Sequence, residues 1–363
     1  MDQKTLIGFI LIGAILLFWP TYLDFISPEP QETESVSPVE NAFQETEKSP
    51  AASYVNPPES SDLLKRVYTV ETPLFTAGIS NKNGGSLSSF LVTKHLKDGE
   101  GFLDLIDEEN KNNLLVSYIN QSGEEVFLDD FWSESKPWFV DGKNSVILNE
   151  DNPTETLSYV LQVGEGFVQK DLTFFYNSYE VVVNTNLRGI KDDVLDGNFR
   201  LDWVGGLPLT EPTQDGMFLE GLVGQGGDIE SFKAGSTGLF GSSSGTIERS
   251  SKQYTGPADF AGYRTKYFGV FFVPQKTDFV EIAKYSSGDR IAVDIITNQN
   301  INFEETTLYF GPLEYGEISN LGVGIEEKIL GWQWLSSVSW LVYSIMIFMY
   351  SLCLLYTSDA ADD

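Results

Sequence analysis

Residues 167–174 read Phe-Val-Gln-Lys-Asp-Leu-Thr-Phe, and residues 179–185 read Tyr-Glu-Val-Val-Val-Asn-Thr. Short runs of β-branched and aromatic residues with period-two alternation, separated by Gly and Asn, are typical of strands. The same pattern recurs at 67–72, 267–273, 291–296 and 306–310. Helical periodicity is almost absent between these runs, so we predict one large antiparallel all-β sandwich over residues 63–312.

Glycine punctuates this region. The Gly-Glu-Gly at 164–166 and the Gly-Gln-Gly-Gly at 224–227 do not complete a nucleotide-binding Gly-x-Gly-x-x-Gly motif between a strand and a helix. We therefore interpret both as turn glycines. The wider glycine-rich stretch 221–245 predicts a long flexible loop.

Charge and composition exclude several function classes. The chain has 363 residues with 53 acidic and 23 basic side chains, a formal net charge of −30. No basic surface is available to displace counterions from phosphates, so we expect no nucleic-acid partner. Cys353 and His95 are the single cysteine and histidine. An intrachain disulfide and a mechanism based on two histidines are therefore excluded, and a structural zinc site, which usually has several Cys or His ligands, is not expected.

An uncharged apolar stretch of 19 residues runs from Thr5 to Leu23. As a helix it spans about 28 Å, close to the hydrocarbon thickness of a bilayer. A cleaved signal peptide is the alternative, but residues 21–25 lack the small residues of a cleavage site. We expect an uncleaved transmembrane anchor at 1–26.

A second uncharged stretch covers residues 329–358 and predicts another transmembrane helix at 335–356. The region between the two stretches holds 22 basic and 49 acidic residues. Long loops cross a membrane largely regardless of charge, so two spans would place this acidic region on the far side of the bilayer. A buried C-terminal helix is the alternative interpretation of the second stretch.

Two connecting segments flank the predicted sandwich. Residues 27–62 are rich in Pro, Glu and Ser, a composition that predicts a disordered tether. Residues 313–334 mix apolar residues at helical spacing with charges. They predict either a plain connector or an amphipathic helix on the membrane surface.

Motifs for catalysis or metal binding are weak. The acidic run of Asp104, Asp107, Glu108 and Glu109 lacks the alternating ligands and central glycine of a calcium loop, and a solvated face explains it better. His95 carries no local signature of a Ser-His-Asp triad. We therefore assign no catalytic, cofactor-binding or metal-binding residue and no cofactor.

Toward the C-terminus the order of several short segments is specific. The first segment is Gly-Tyr-Arg-Thr-Lys-Tyr-Phe at 262–268, and the others are Phe-Phe-Val-Pro at 271–274, Leu-Tyr-Phe-Gly-Pro-Leu-Glu-Tyr at 308–315, Leu-Gly-Val-Gly-Ile-Glu at 321–326, Gly-Trp at 331–332 and Tyr343 before an apolar span. This series resembles the YidC family of bacterial membrane protein insertases. The N-terminal anchor, the tether and the all-β exported domain fit the same layout.

That resemblance implies a multi-pass protein of the bacterial inner membrane with a large periplasmic domain. It implies no enzyme activity and a role in inserting and folding nascent membrane proteins, alone or with Sec translocon components, in contact with the lipid bilayer. The exported domain would be a β-supersandwich similar to galactose mutarotases, flanked by two transmembrane helices. The family continues with four further membrane helices and a groove arginine. Residues 353–363 depart from it, so we expect a foreign tail and a truncated insertase bundle.

Two other functions fit the sequence. A membrane-anchored periplasmic protein that binds carbohydrate would use aromatic side chains such as Trp132, Trp138 and Trp203, although these residue types are also common in a core. A two-span structural or sensor protein would bind a partner through the exported domain.

Overall fold

The computed structural model describes residues 65–96, 102–106, 113–135, 144–208, 210, 218–233, 248–287, 290–302, 305–329, 344 and 346. The predicted anchor at 1–26, tether at 27–62 and tail at 353–363 lie outside the described residues, as does the predicted span at 335–356 apart from residues 344 and 346. Among the residues described, no helix has both the length and the apolar character needed to cross a bilayer.

The described part of the chain contains twenty strands, two short α-helices and a 3-10 helix at Arg188–Ile190. The strands are β1 (Val67–Glu71), β2 (Phe75–Ser80), β3 (Ser86–Leu96), β4 (Phe102–Asp104), β5 (Leu115–Asn120), β6 (Glu125–Phe127), β7 (Ser133–Glu134), β8 (Ser145–Ile147), β9 (Thr154–Val163), β10 (Gly166–Phe175), β11 (Glu180–Asn186), β12 (Val194–Trp203), β13 (Glu220–Gln225), β14 (Asp228–Lys233), β15 (Glu248–Thr255), β16 (Phe260–Arg264), β17 (Phe268–Pro274), β18 (Thr277–Ser287), β19 (Arg290–Asn300) and β20 (Glu305–Pro312). The α-helices are α1 (Tyr315–Ser319) and α2 (Ile325–Ile329). All six runs that the sequence pattern singled out lie in or overlap strands, and the predicted all-β class is confirmed.

Three sheets hold these strands. A five-stranded sheet has the order β4-β3-β2-β1-β8, a nine-stranded sheet the order β14-β13-β16-β17-β20-β11-β10-β9-β7, and a six-stranded sheet the order β15-β18-β19-β12-β5-β6. All pairings are antiparallel except that of β1 with β8. Several neighbouring strands of the nine-stranded and six-stranded sheets follow each other in sequence as hairpins, for example β9–β10 and β18–β19. The alternating pattern of such strands could therefore be recognised from local sequence.

Aromatic side chains join the three sheets at the core. Phe90 of the five-stranded sheet contacts Phe310 of the nine-stranded sheet, with ring centroids 4.7 Å apart. Trp203 of the six-stranded sheet also contacts Phe310, with ring centroids 4.9 Å apart. All three side chains are buried, so one continuous apolar core stabilises the whole described β domain.

The prediction of a long loop at 221–245 is wrong in its first part. Residues 220–233 form the hairpin of β13 and β14, with Gly226 and Gly227 at positive φ in its turn. Glycine occurs inside β13 because its neighbours leave no room: a Cβ on Gly224 would lie 2.4 Å from the Phe260 ring. Close packing, not flexibility, therefore explains this glycine. The remaining residues, 234–245, lie outside the described part.

Candidate functional site

The region of the C-terminal motif forms a compact segment after the last strand. β20 ends at Pro312, and residues 313–329, here called the docked segment, contain α1 and α2. Gly322 and Gly324 adopt φ angles of +67° and +78° between the two helices, a conformation that favours glycine. The Gly-Val-Gly of the motif thus turns the chain from one helix to the next.

The docked segment packs against the β domain. The Leu313 amide donates to the Tyr267 carbonyl at 2.7 Å, which ties the segment to the β16–β17 turn. Ile318 of α1 and Ile325 of α2 are fully buried in the core cluster, and Leu321 and Val323 pack against it. Ile318 and Ile325 therefore face the protein core.

Two tyrosines support the start of the segment. The Tyr309 hydroxyl donates to the Pro312 carbonyl, and the Tyr179 and Tyr309 rings lie edge to face with centroids 6.3 Å apart. Gly311 lies against Tyr179, where a Cβ would come within 2.8 Å of the ring. The Tyr-Phe-Gly-Pro motif thus has a local packing reason: only glycine lets β20 approach this ring.

Carboxylates surround the same tyrosines. Burial raises the pKa of the Glu180 carboxyl, and the neighbouring charge of Glu317 raises it further. Burial also raises the pKa of Tyr179 and Tyr309, with Glu314 and Glu317 adding to the shift. Within the described residues, no group of three or more His, Cys, Asp or Glu side chains is placed to hold a metal ion. The buried tyrosines and their neighbouring carboxylates are suited to fixing the position of the docked segment.

Sequence reasoning missed a buried cation in β10. Lys170 is fully buried, and its Nζ donates to the Asn83 carbonyl at 2.7 Å and to the Leu114 carbonyl at 2.5 Å. Both carbonyls belong to residues with positive φ, 55° and 54°. Burial lowers the pKa of Lys170 to about 7. The inward position of Lys170 in the alternating run 167–174 was a signal for this role.

The structure shows where several of the candidate residues chosen from the sequence lie. Trp132 and Trp203 are fully buried, so they belong to the core and not to a carbohydrate surface. The Asp104 carboxylate accepts the Phe90 and Ile106 amides at 2.8 and 2.9 Å, which stabilises a turn. Gly164 lies in the β9–β10 turn, as predicted. Trp138, residues 107–109 and Cys353 lie outside the described part, and for His95 only the backbone, in β3, is described.

Comparison with known proteins gives the family. The family model of the YidC periplasmic domain matches residues 67–342. The chain is 27% identical to the membrane protein insertase YidC of Chlorobaculum parvum and 26% identical to that of Prosthecochloris aestuarii, in each case over 93% of this chain and 58% of the relative. The chain therefore belongs to the YidC periplasmic domain family, which confirms the resemblance. It spans about 58% of the length of the curated relatives it matches.

The chain is also similar, at low sequence identity, to several solved structures. A galactose mutarotase related enzyme from Lactobacillus acidophilus matches 68% of this chain and 97% of its own at 9% identity, with a TM-score of 0.38. A protein from Synechocystis sp. PCC 6803 matches 72% of this chain and 98% of its own at 10% identity, with a TM-score of 0.41.

Proposed function

We propose that this chain belongs to a protein that inserts and folds bacterial inner-membrane proteins, alone or beside the Sec translocon. The match of the YidC periplasmic domain to residues 67–342 is the observation that carries this proposal. The names of the curated relatives, membrane protein insertases, support it. Nascent membrane proteins would be the substrates, and the role requires no cofactor.

The proposed topology has two lipid-embedded helices, at 1–26 and 335–356, with the β domain in the periplasm. The uncharged stretches 5–23 and 329–358 support both spans, since each is long enough to cross the hydrocarbon core. Their even number would leave both ends of the chain in the cytoplasm. The tether, the β domain and the connector would then lie between the two spans, in that order.

In this topology the docked segment serves as a stiff connector. It occupies the residues just before the second uncharged stretch, and Ile318 and Ile325 are buried in the β domain. These side chains are therefore not available to a lipid surface, which favours a connector over an interfacial helix. A stiff connector would hold the β domain at a fixed distance from the membrane.

Photo-crosslinking to a nascent chain tests the function. The full chain would be produced in bacterial membranes, and a ribosome-bound single-span membrane protein with a photoreactive residue in its span would be translated in their presence. We expect crosslinks to this chain and, in part, to Sec components. The same experiment with a nascent secreted protein is the control, and equal crosslinking of both nascent chains would contradict the proposal.

Protease accessibility tests the topology separately. In spheroplasts, added protease should digest the β domain, whereas in inverted membrane vesicles the domain should be protected. The reverse pattern, or release of the chain by an alkaline wash, would contradict the two-span arrangement.

A further inference from the structure

The six-stranded sheet carries a groove on the face that points away from the core. Its volume is about 300 Å³, and we call it the outer groove. Its walls and floor come from five strands, β5, β6, β12, β18 and β19, and include Ile119, Glu125, Asn198, Arg200, Phe279 and Asn298. The volume lies at the lower end of the range for ligand sites, so a short segment fits and a folded partner does not.

A bulge in β12 builds one wall of this groove. The register between β12 and β5 shifts between Val194 and Phe199. Within the bulge, Asp196 and Gly197 have φ angles of +54° and +64°. Such bulges bend a strand and redirect its side chains. Here the bulge brings Leu195 and Asp196 to the groove lining beside Asn198.

Two side-chain amides give the groove its hydrogen-bonding capacity. The Asn300 side-chain amide donates to the side-chain oxygen Oδ1 of Asn198 at 3.2 Å. The side-chain NH2 group of Asn198 is then left for another acceptor. The Asn298 side chain is partly exposed and has no hydrogen bond to the described residues. A primary amide has both donors and an acceptor, so it can bond a peptide group in both directions. Ile119, 38% exposed, adds an apolar contact beside them.

Charge decides between a peptide and a neutral glycan. Arg200 and Glu125 form an ion pair of 2.6 Å, so the floor carries no net charge. Asp196 is exposed in the lining, and the Asp193 carboxylate accepts a hydrogen bond from the Tyr118 hydroxyl of the lining at 2.8 Å. Glu124 and Asp278 are exposed next to the lining residues Glu125 and Phe279, and the exposed bases nearest along the chain are Lys191 and Lys276, so acids outnumber bases at the rim. An acidic rim attracts cations, but it exerts no net electrostatic attraction on a neutral sugar. The apolar contact and the amides then favour a peptide with basic and apolar side chains.

We propose that the outer groove binds an extended peptide segment whose basic residues flank apolar ones. The amides of Asn198 and Asn298 contact its backbone, Ile119 contacts an apolar side chain, and the rim holds the flanking cations. This proposal does not depend on the insertase function, because it rests only on the lining of the groove.

Fluorescence anisotropy with the full chain in detergent micelles tests the proposal. The probe is a fluorescein-labelled nine-residue peptide with Lys and Arg flanking alternating Leu, Thr and Val residues, and empty micelles correct for partitioning. We expect saturable binding that weakens about tenfold between 50 and 300 mM NaCl, because screening shortens the reach of the rim charges. A peptide with Glu in place of each basic residue should bind at least tenfold more weakly.

Matched variants localise the site. Asp196→Asn removes one rim charge and keeps a residue that tolerates positive φ, so it should weaken binding several-fold. Asp151→Asn, in the exposed turn between β8 and β9 and outside the groove lining, should not. Ile119→Ser should weaken binding as well, in contrast to Ile147→Ser, which alters an exposed isoleucine in β8. Equal binding of the charge-reversed peptide, equal effects of the control variants, or displacement of the peptide by a neutral oligosaccharide would overturn the proposal.

Discussion

The docked segment and the outer groove lie on different sheets of one β domain and differ in how their side chains are used. In the docked segment Ile318 and Ile325 are fully buried, and just before it, at the end of β20, Gly311 has no room for a side chain. In the outer groove Ile119 remains 38% exposed, and the Asn298 amide has no hydrogen bond to the described residues. Fully buried side chains fix the position of a segment, whereas exposed side chains with unused hydrogen-bonding groups can contact another molecule.

The largest difference between the two regions should appear when an isoleucine is truncated in each. Ile318→Ala removes a fully buried side chain and should lower the free energy of unfolding by about 3 kcal/mol. Ile119→Ala in the groove should change it by less than about 0.5 kcal/mol. Urea denaturation followed by tryptophan fluorescence measures both, and similar losses for the two variants would remove the distinction.

The internal contacts of Lys170 predict a pH dependence of stability. Its pKa is lowered to about 7 in the folded protein, and that of an unfolded lysine is about 10.4. Between these values the unfolded chain binds more protons than the folded one, so stability should rise as the pH rises from 7 to 9. The expected slope is about 1.4 kcal/mol per pH unit, and urea midpoints across this range measure it.

Lys170→Met removes the titrating group and should abolish that slope, even though it also lowers stability by leaving two carbonyls unpaired. Lys252→Met, at an exposed position, is the control and should retain the slope. An unchanged slope in Lys170→Met would show that another group causes the pH dependence.

Two glycines, Gly311 at the end of β20 and Gly316 in α1, separate the effect of close packing from that of backbone preference. Gly311→Ala places a Cβ against the Tyr179 ring and should lower the free energy of unfolding by about 2 kcal/mol. Gly316→Ala meets nothing within 4 Å in α1 and should be neutral or stabilising by up to about 1 kcal/mol. Thermal melting compares them, and equal melting temperatures would contradict the packing argument.

The smallest effect concerns the ion pair on the floor of the groove. Arg200 and Glu125 are each about one third exposed, so Glu125→Gln should change the free energy of unfolding by less than about 1 kcal/mol. Any loss should shrink in 0.5 M NaCl, because salt screens exposed charges. A salt-independent loss above 2 kcal/mol would show that the groove is part of the rigid core.

Local sequence predicted what depends on neighbouring residues. The alternation at 167–174 predicted β10. The order of the short segments between 262 and 343, which includes the Tyr-Phe-Gly-Pro run at 309–312, carried the resemblance to the family. The prediction of a loop at 221–245 was wrong in its first part. Gly224 is a glycine because it packs against the ring of Phe260, and local sequence does not show that contact. Lys170 gave a signal, since a lysine at an inward position needs internal acceptors.

The outer groove was beyond sequence reasoning for a topological reason. Its lining combines β5, β6, β12, β18 and β19, and the adjacency of β5 to β12 and of β12 to β19 follows from the order of the sheet. No local motif specifies that order. The bulge at Asp196 and Gly197 was equally hidden, because it exists only relative to the partner strand.

Hydrogen exchange at the docked segment tests the central claim, that this segment is fixed to the β domain. The Ile318 amide donates to the Glu314 carbonyl at 3.0 Å within a helix of five residues. Because so short a helix is not stable alone in water, protection there must come from docking. We predict that, in the full chain, the Ile318 and Leu321 amides exchange far more slowly than an unfolded chain and that Ile318→Ala removes this protection. Exchange of both amides at unfolded-chain rates in the unaltered protein would contradict the account.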